Sequence, residues 1–316
     1  SRSELIINSH HWPVWGNAEV LQYLKLQRDL YKYLHDQTLR LANQGHTPDE
    51  IAEELTLPPS LSQAFFNRGY YGTLRHNVRA VYQFYFGWYD SNPAHLNPLP
   101  AAATAPRYVE AMGGAAAVLT KARLAFDQGD YRWAAELLNH LVFSDPQNAS
   151  AREALARCYD QLGYQAESGP WRDEYLSAAL ELRKGILQPA QKPDRDGILR
   201  QVPVEQYFNA IAVLINGPKA EGKHLVVNFN FTDVREQHVV WIENAVLHHR
   251  LGEADPNADF SISLTLTFWI KLLNKQIGVQ ELLSSNEYSL QGDKLALMNF
   301  LALLDKPDEA FAIVTP

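Results

Sequence analysis

The sequence predicts a multidomain chain: a short strand-bearing stretch, then an all-helical segment, then a small α+β domain. Three observations predict it. From Asn17 to about 186, apolar residues recur at three- and four-residue spacings between helix caps. From 187 to 197 the chain reads LQPAQKPDRDG, polar and proline-containing, which marks a linker that includes Asp194-Arg195-Asp196. From Ile198 onward, runs with strand alternation appear between Gly and Asp residues, and apolar helical runs follow them.

Leu5-Ile6-Ile7 is a short apolar, β-branched run and reads as a buried strand. It ends at Ser9-His10-His11, followed by Trp12-Pro13-Val14-Trp15-Gly16. Asn17 is a good helix cap with Glu19 in the first turn, and Gly45 ends the long pattern that follows. Thr47-Pro48-Asp49-Glu50 is a capping box with proline at the first helical position, and Ser60-Leu61-Ser62-Gln63 reads as a second box. Asn67-Arg68-Gly69-Tyr70-Tyr71-Gly72 is a glycine-bracketed loop before a helix from about Leu74 to Phe86. The aromatics from Tyr82 to Tyr89 point to a core or a subunit interface.

Gly129 and Gly163 lie 34 residues apart, as do Ala122 and Ala156, a helix–turn–helix period like that of tetratricopeptide (TPR) repeats. Two such units cannot close their own core, so packing against a neighbour is expected. In the last domain, Val204 to Ile215 is helical. HLVVNFNFTD, EQHVVWIENAVLHHRL and DFSISLTLTFWI read as three strand runs of an antiparallel sheet, and FWIKLLNKQ, VQELLSS and LALMNFLALLD return to helix.

The 316 residues suffice for two or three domains, and 46% hydrophobic with 20% charged content is ordinary for a globular chain. A net charge of −8 argues against non-specific nucleic-acid binding. The single Cys158 excludes an intrachain disulfide and reads as a small buried hydrophobe. No run reaches the roughly eighteen apolar residues of a membrane span. Ser1 with no methionine reads as a processed, nicked or truncated start.

Paired histidines at the end of a strand are well placed for a metal or for acid–base work. They equally suit capping the strand and packing on Trp12. Successive side chains of an extended segment face opposite ways, so one of His10 and His11 can bind a metal while the other packs. In the glycine-bracketed loop, Gly69 and Gly72 allow close backbone approach, Arg68 and Arg75 bring positive charge, and Tyr71 offers a phenolic donor. The other reading of that loop is a helix-joining turn with a packed tyrosine pair. His248-His249 lies in a strand and reaches opposite faces, and the remaining histidines share no ligand spacing. In the last domain, Phe268, Trp269, Leu297, Phe300 and their neighbours are more apolar side chains than a small sheet needs.

SHHWPVWGN resembles the last zinc-ligand segment of the alkylsulfatases of the metallo-β-lactamase superfamily. RDLYKYLHDQTLRLANQG, LPPSL, NRGYYGTLRHNVRAVYQ, GDYRWAAELLNHLVF and LGYQAESGPWRDEYL resemble the same family, in the same order, while its H-x-H-x-D-H motif is absent. The resemblance implies four segments. Residues 1–16 would end an αββα metallo-β-lactamase domain, 17–186 form a helical dimerisation domain, 187–197 link, and 198–316 form a sterol-carrier-like α+β domain. It also implies hydrolysis of alkyl sulfates, of the dodecyl sulfate kind, to alcohol and sulfate with two zinc ions. His10 would be the last zinc ligand (alternatively His11), and Tyr71, Arg68 and Arg75 would face the sulfate. An apolar groove at Phe268, Trp269, Leu297 and Phe300 would take the alkyl chain or the fatty alcohol. Further implications are a homodimer, a catalytic portion outside this chain, and a periplasmic or secreted location. The alternative is a non-catalytic assembly and lipid-binding module.

Overall fold

The computed structural model describes residues 2–186, 201–273, 276–277, 285–308 and 310–316. The linker run LQPAQKPDRDG and most of VQELLSS lie outside the described residues. The chain divides into two compact units, Ser1–Leu187 with Phe311–Pro316, and Gln188–Ala310.

In the first unit, strand β1 (Leu5–Ile6) pairs antiparallel with β2 (Val14–Trp15). The expected buried strand is instead this exposed ribbon, with Leu5 45% and Ile7 76% exposed. Two residues with a single partner strand have no sheet face to bury. Helix α1 (Asn17–Ala42) begins one residue earlier than expected. Gly16, at φ +87°, makes the cap, and Asn17 is the first helical residue. The Asn17 amide instead donates to the Ser3 carbonyl at 2.9 Å, which ties the ribbon to the helix.

Helix α2 (Pro48–Glu54) carries the capping box in full, with Thr47 N donating to Glu50 Oε2 at 2.8 Å. Helix α3 (Pro59–Ser62) has no side-chain cap; proline at its first position starts it, so Ser60 sits inside rather than before it. A 3-10 turn (Phe65–Asn67) leads into the loop before α4 (Leu74–Phe86), which Thr73 caps by accepting from His76 N. Helices α2 and α4 pack on α1 around Leu34, Leu41, Ile51, Ala52, Leu55 and Val78.

Six further helices complete the unit: α5 (Pro93–Leu96), α6 (Ala101–Ala111), α7 (Ala115–Asp127), α8 (Tyr131–Ser144), α9 (Ala149–Gln165) and α10 (Gly169–Lys184). Helices α6 to α10 share a core that holds Leu137, Leu138, Leu141, Leu155 and Cys158, whose thiol burial pushes up to about 11. The 34-residue offset survives in the helix starts, Ala115 and Ala149, but not in the glycines. Gly129, at φ +81°, lies in the turn after α7. Gly163 lies within α9, which at 17 residues is four longer than the 13-residue α7. A Cβ at Gly163 would stand 2.9 Å from both Leu176 Cγ and Leu176 Cδ2, so this glycine serves close helix packing, not a turn. The terminal segment 311–316 belongs to the same unit. Val314 joins the helical core, and Glu181 Oε1 accepts from Ile313 N at 2.9 Å and Val314 N at 3.1 Å.

The second unit is built on a five-stranded sheet in the order β5-β4-β3-β6-β7. Its strands are β3 (Leu225–Phe231), β4 (Glu236–Glu243), β5 (Val246–Leu251), β6 (Phe260–Leu264) and β7 (Tyr288–Gly292). The expected antiparallel sheet is mixed, because β3 and β6 run parallel. The run EQHVVWIENAVLHHRL is two strands. Asn244 and Ala245 both take positive φ, the twist a two-residue hairpin requires. Helices α11 (Val204–Ala212), α12 (Gly217–Ala220), α13 (Leu266–Leu273) and α14 (Lys294–Ala302) accompany the sheet. Phe268, Trp269, Leu297 and Phe300 are each at most 3% exposed and share one core with Phe208, Phe229, Phe231 and Phe260. The first four side chains, expected beside a groove, are buried among the described residues and line neither cavity described.

Gly163→Ala tests the helix packing. Overpacking costs about 1–3 kcal/mol, and the helix-propensity gain of about 1 kcal/mol offsets only part of it. We expect a lower midpoint in thermal unfolding; an unchanged or raised midpoint would contradict the close α9–α10 contact.

Candidate functional site

A cleft of about 920 Å3 opens in the first unit. The N-terminal segment, α1, α2, the loop before α4 and the α9–α10 junction all contribute to its wall. His10, His11, Arg68, Tyr71 and Arg75 all line it, so five residues spread over 66 positions meet in one place.

The bend at Ser9–His11 turns its two histidines to opposite environments. His10 is exposed and stacks on Tyr71, with ring centroids 3.5 Å apart and planes 13° off parallel. Neither ring nitrogen of His10 is hydrogen-bonded among the described residues. His11 points into a box of Tyr23, Phe65, Phe66 and Tyr70, all with ring centroids within 6.3 Å. Its Nδ1 is buried without a hydrogen-bond partner. Burial above all raises the phenol pKa values of Tyr23 and Tyr70, with a smaller push from Tyr31 on Tyr23 and from Tyr23 on Tyr70.

The loop carrying Arg68 and Tyr71 is held from two sides. From α1, Gln27 Nε2 donates to the Phe66 carbonyl at 3.0 Å and to Asn67 Oδ1 at 2.9 Å. Buried Asn67 in turn donates to the Leu61 carbonyl at 2.9 Å. From the α9–α10 junction, Ser168 Oγ donates to the Tyr71 carbonyl at 2.5 Å and Gly169 N to the Tyr70 carbonyl at 2.9 Å. Glu167 pairs with Arg68 at 2.5 Å, and Trp171 Nε1 donates to His76 Nδ1 at 3.2 Å.

Both candidate anion-binding arginines are therefore already paired. Arg75 meets Glu53 at 2.8 Å, and the other oxygen of Glu53 meets Arg132 at 2.9 Å. A guanidinium has five N–H donors in a rigid fork, so one carboxylate fixes it while leaving donors for a second oxyanion. Leu30, Leu34, Leu55 and Leu57 supply an apolar part of the same wall. The cleft thus combines cations, a half-exposed phenol at Tyr71 and an apolar side, which suits an oxyanion with a hydrocarbon tail.

Zinc requires three or four protein ligands. Among the described residues no group of three or more His, Cys, Asp and Glu could hold a metal. The described residues do not make a zinc site by themselves; His10, with both ring nitrogens open, suits one ligand position. The other histidines stay apart. His249 binds Asn209, His248 stacks on Trp241 across the sheet, and His35, His46 and His95 each face a carboxylate. Sequence reasoning missed Gln27, Asn67, Glu53, Glu167 and Ser168. Only Ser168 leaves a local trace, as the cap before the Gly169–Lys184 helix.

Asn67→Ala would remove one of the two acceptors of Gln27 Nε2, which keeps the Phe66 carbonyl, and would take the Asn67 donor from the Leu61 carbonyl. With buried groups left unpaired at about 1–3 kcal/mol, we expect a loss of that order in denaturant unfolding and faster amide exchange across 67–72. A loss under about 0.5 kcal/mol would deny Asn67 this role.

Two family models match the chain: alkyl sulfatase dimerisation over residues 47–185 and alkyl sulfatase C-terminal over residues 192–316. A linear primary-alkylsulfatase from Pseudomonas sp. is 46% identical over 97% of this chain and 46% of its own length. An alkyl/aryl-sulfatase from Saccharomyces cerevisiae is 46% identical over 100% of this chain and 49% of its own length. The solved structure of a stereoselective inverting sec-alkylsulfatase, Pisa1 from Pseudomonas sp., superposes with a TM-score of 0.91 at 40% identity, covering 99% of this chain and 50% of that one. The chain spans about half the length of the curated relatives it matches. Carrying both the dimerisation and the C-terminal domain, the chain belongs to the alkylsulfatase family.

Proposed function

We propose that this chain works as the dimerisation and C-terminal part of a zinc-dependent alkylsulfatase that hydrolyses alkyl sulfate esters, of the dodecyl sulfate kind, to alcohol and sulfate. The observation that carries this reading is the stack of His10 on Tyr71 in a cleft that Arg68 and Arg75 also line. When bound, zinc supplies a water acidified towards neutral pH and a Lewis acid beside the ester. The chain's own residues bind and orient. His10 offers a neutral ring nitrogen as one zinc ligand, and the remaining ligands come from outside this chain. Tyr71 braces the His10 ring and donates its phenol to a sulfate oxygen. Arg68 and Arg75 hold the sulfate through the N–H donors that Glu167 and Glu53 leave over. Leu30 and Leu57 take the first methylenes of the alkyl chain.

Two finer readings belong to the same proposal. The pairs α7–α8 and α9–α10 are TPR-like, supported by the 34-residue offset of their first helices. The second unit is sterol-carrier-like. Alkyl uptake there requires α13 and α14 to move off a filled core, since Phe268, Trp269, Leu297 and Phe300 are all buried. The homodimer reading is supported by the dimerisation-domain match and by the end of α4, where Phe84 is 80% and Trp88 69% exposed. Stable dimers commonly bury more than about 1,200 Å2, and such rings are the large apolar side chains an interface core uses.

This chain alone is expected to release no sulfate from dodecyl sulfate; release above the uncatalysed rate would refute the incomplete-site reading. In a protein that also carries the rest of an alkylsulfatase, His10→Ala should lower zinc content and activity together while circular dichroism stays unchanged. Unaltered zinc in that variant, with loss in His11→Ala, would move the ligand to His11. For the dimer, Phe84→Asp combined with Trp88→Asp should turn a dimer into a monomer in sedimentation at micromolar concentration. A wild-type monomer, or a dimer that persists in the double variant, would rule out this surface.

A further inference from the structure

We infer that Ser168 is a positioning residue for the His10–Tyr71 pair, an inference that rests on reading these two side chains as the metal- and sulfate-facing groups. The stacked rings have little else to hold them. His10 is exposed and Tyr71 is 49% exposed, and neither side chain is anchored by a hydrogen bond among the described residues. What fixes Tyr71 is its backbone. The Tyr71 carbonyl accepts from Ser168 Oγ, and the neighbouring Tyr70 carbonyl accepts from Gly169 N.

Ser168 is 1% exposed, and its hydroxyl performs two tasks at once. It donates its one proton to the Tyr71 carbonyl and accepts from Trp171 N at 3.3 Å, capping α10. One oxygen thus fastens the first turn of α10 to a loop 97 residues earlier in the chain. A part-buried carbonyl deprived of its donor seeks another partner. Here that partner is water on the cleft side, and reaching it swings the Tyr71 backbone and carries its ring off His10.

The test is the His10 imidazole resonance in the full chain, recorded by NMR without metal. The Tyr71 ring current shifts the His10 ring protons upfield in the wild type, and Tyr71→Ala sets the unstacked reference. Ser168→Ala should move the His10 signal at least half-way to that reference. Ser168→Thr, which keeps donor, acceptor and cap, should restore it. A Ser168→Ala signal at the wild-type position, with only a lowered unfolding midpoint, would reduce Ser168 to a helix cap and overturn the inference. So would failure of Ser168→Thr to restore the signal. If Ser168→Ala does not fold, Ser168→Cys takes its place, because a thiol is a weak donor; it should give a smaller displacement in the same direction, and no displacement would overturn the inference. Because the readout needs no zinc and no turnover, it stands apart from whether His10 proves to be a metal ligand.

Discussion

The short loop Asn67–Gly72 is the constraint on which the site depends. It is held by groups far away in sequence, with Gln27 on one side and Ser168 and Gly169 on the other. Loops running over a surface usually satisfy their backbone with water and move accordingly. Here two successive residues, Phe66 and Asn67, are tied to Gln27 or Leu61, and the carbonyls of Tyr70 and Tyr71 are taken by α10. Holding side chains on rigid elements is what a site that discriminates geometry requires. The helices of the first unit thus do more than fill volume, since the junction between α9 and α10 is one wall of the cleft.

Electrostatics and packing divide the work. The chain carries a net charge of −8, which does not attract an anionic ester. Locally the cleft offsets this with Arg68 and Arg75, each held by a carboxylate. Such partly exposed pairs add little stability. Their use is geometric: a guanidinium fixed by Glu53 or Glu167 keeps its remaining donors aimed and avoids the entropy loss a free side chain would suffer on binding. The two histidines show the same division. His11 is sunk among aromatic rings and anchors the segment, which leaves His10 open at the cleft.

Local chemistry made much of this legible. The Thr47 capping box, the α4 boundaries and the opposite facing of His248 and His249 follow from spacing and caps, and appear as read. Failures came where a local rule met a tertiary condition. Apolar, β-branched residues at Leu5–Ile7 looked buried, but a two-residue pair against one strand leaves Leu5 and Ile7 exposed. Gly163 looked like the turn equivalent to Gly129, but α9 runs a turn longer and needs the missing Cβ against Leu176. The Asn244–Ala245 turn has no Gly or Asp to mark it. Surplus apolar side chains in the second unit suggested a groove, and among the described residues Phe268, Trp269, Leu297 and Phe300 lie buried in one cluster. Glu53, Glu167 and Ser168 carry no signal for the cleft, because their role exists only once α2, α4 and α10 have met.

The central claim is that His10 and Tyr71 together form the meeting point of metal and sulfate. Crystallography at the zinc absorption edge tests it most directly, on a protein that joins this chain to the remaining half of an alkylsulfatase, with sulfate bound. The account predicts an anomalous peak about 2.0–2.1 Å from a His10 ring nitrogen, with a sulfate oxygen within hydrogen-bond distance of the Tyr71 phenol. Zinc bound without His10, or sulfate seated away from Tyr71 and both arginines, would contradict it.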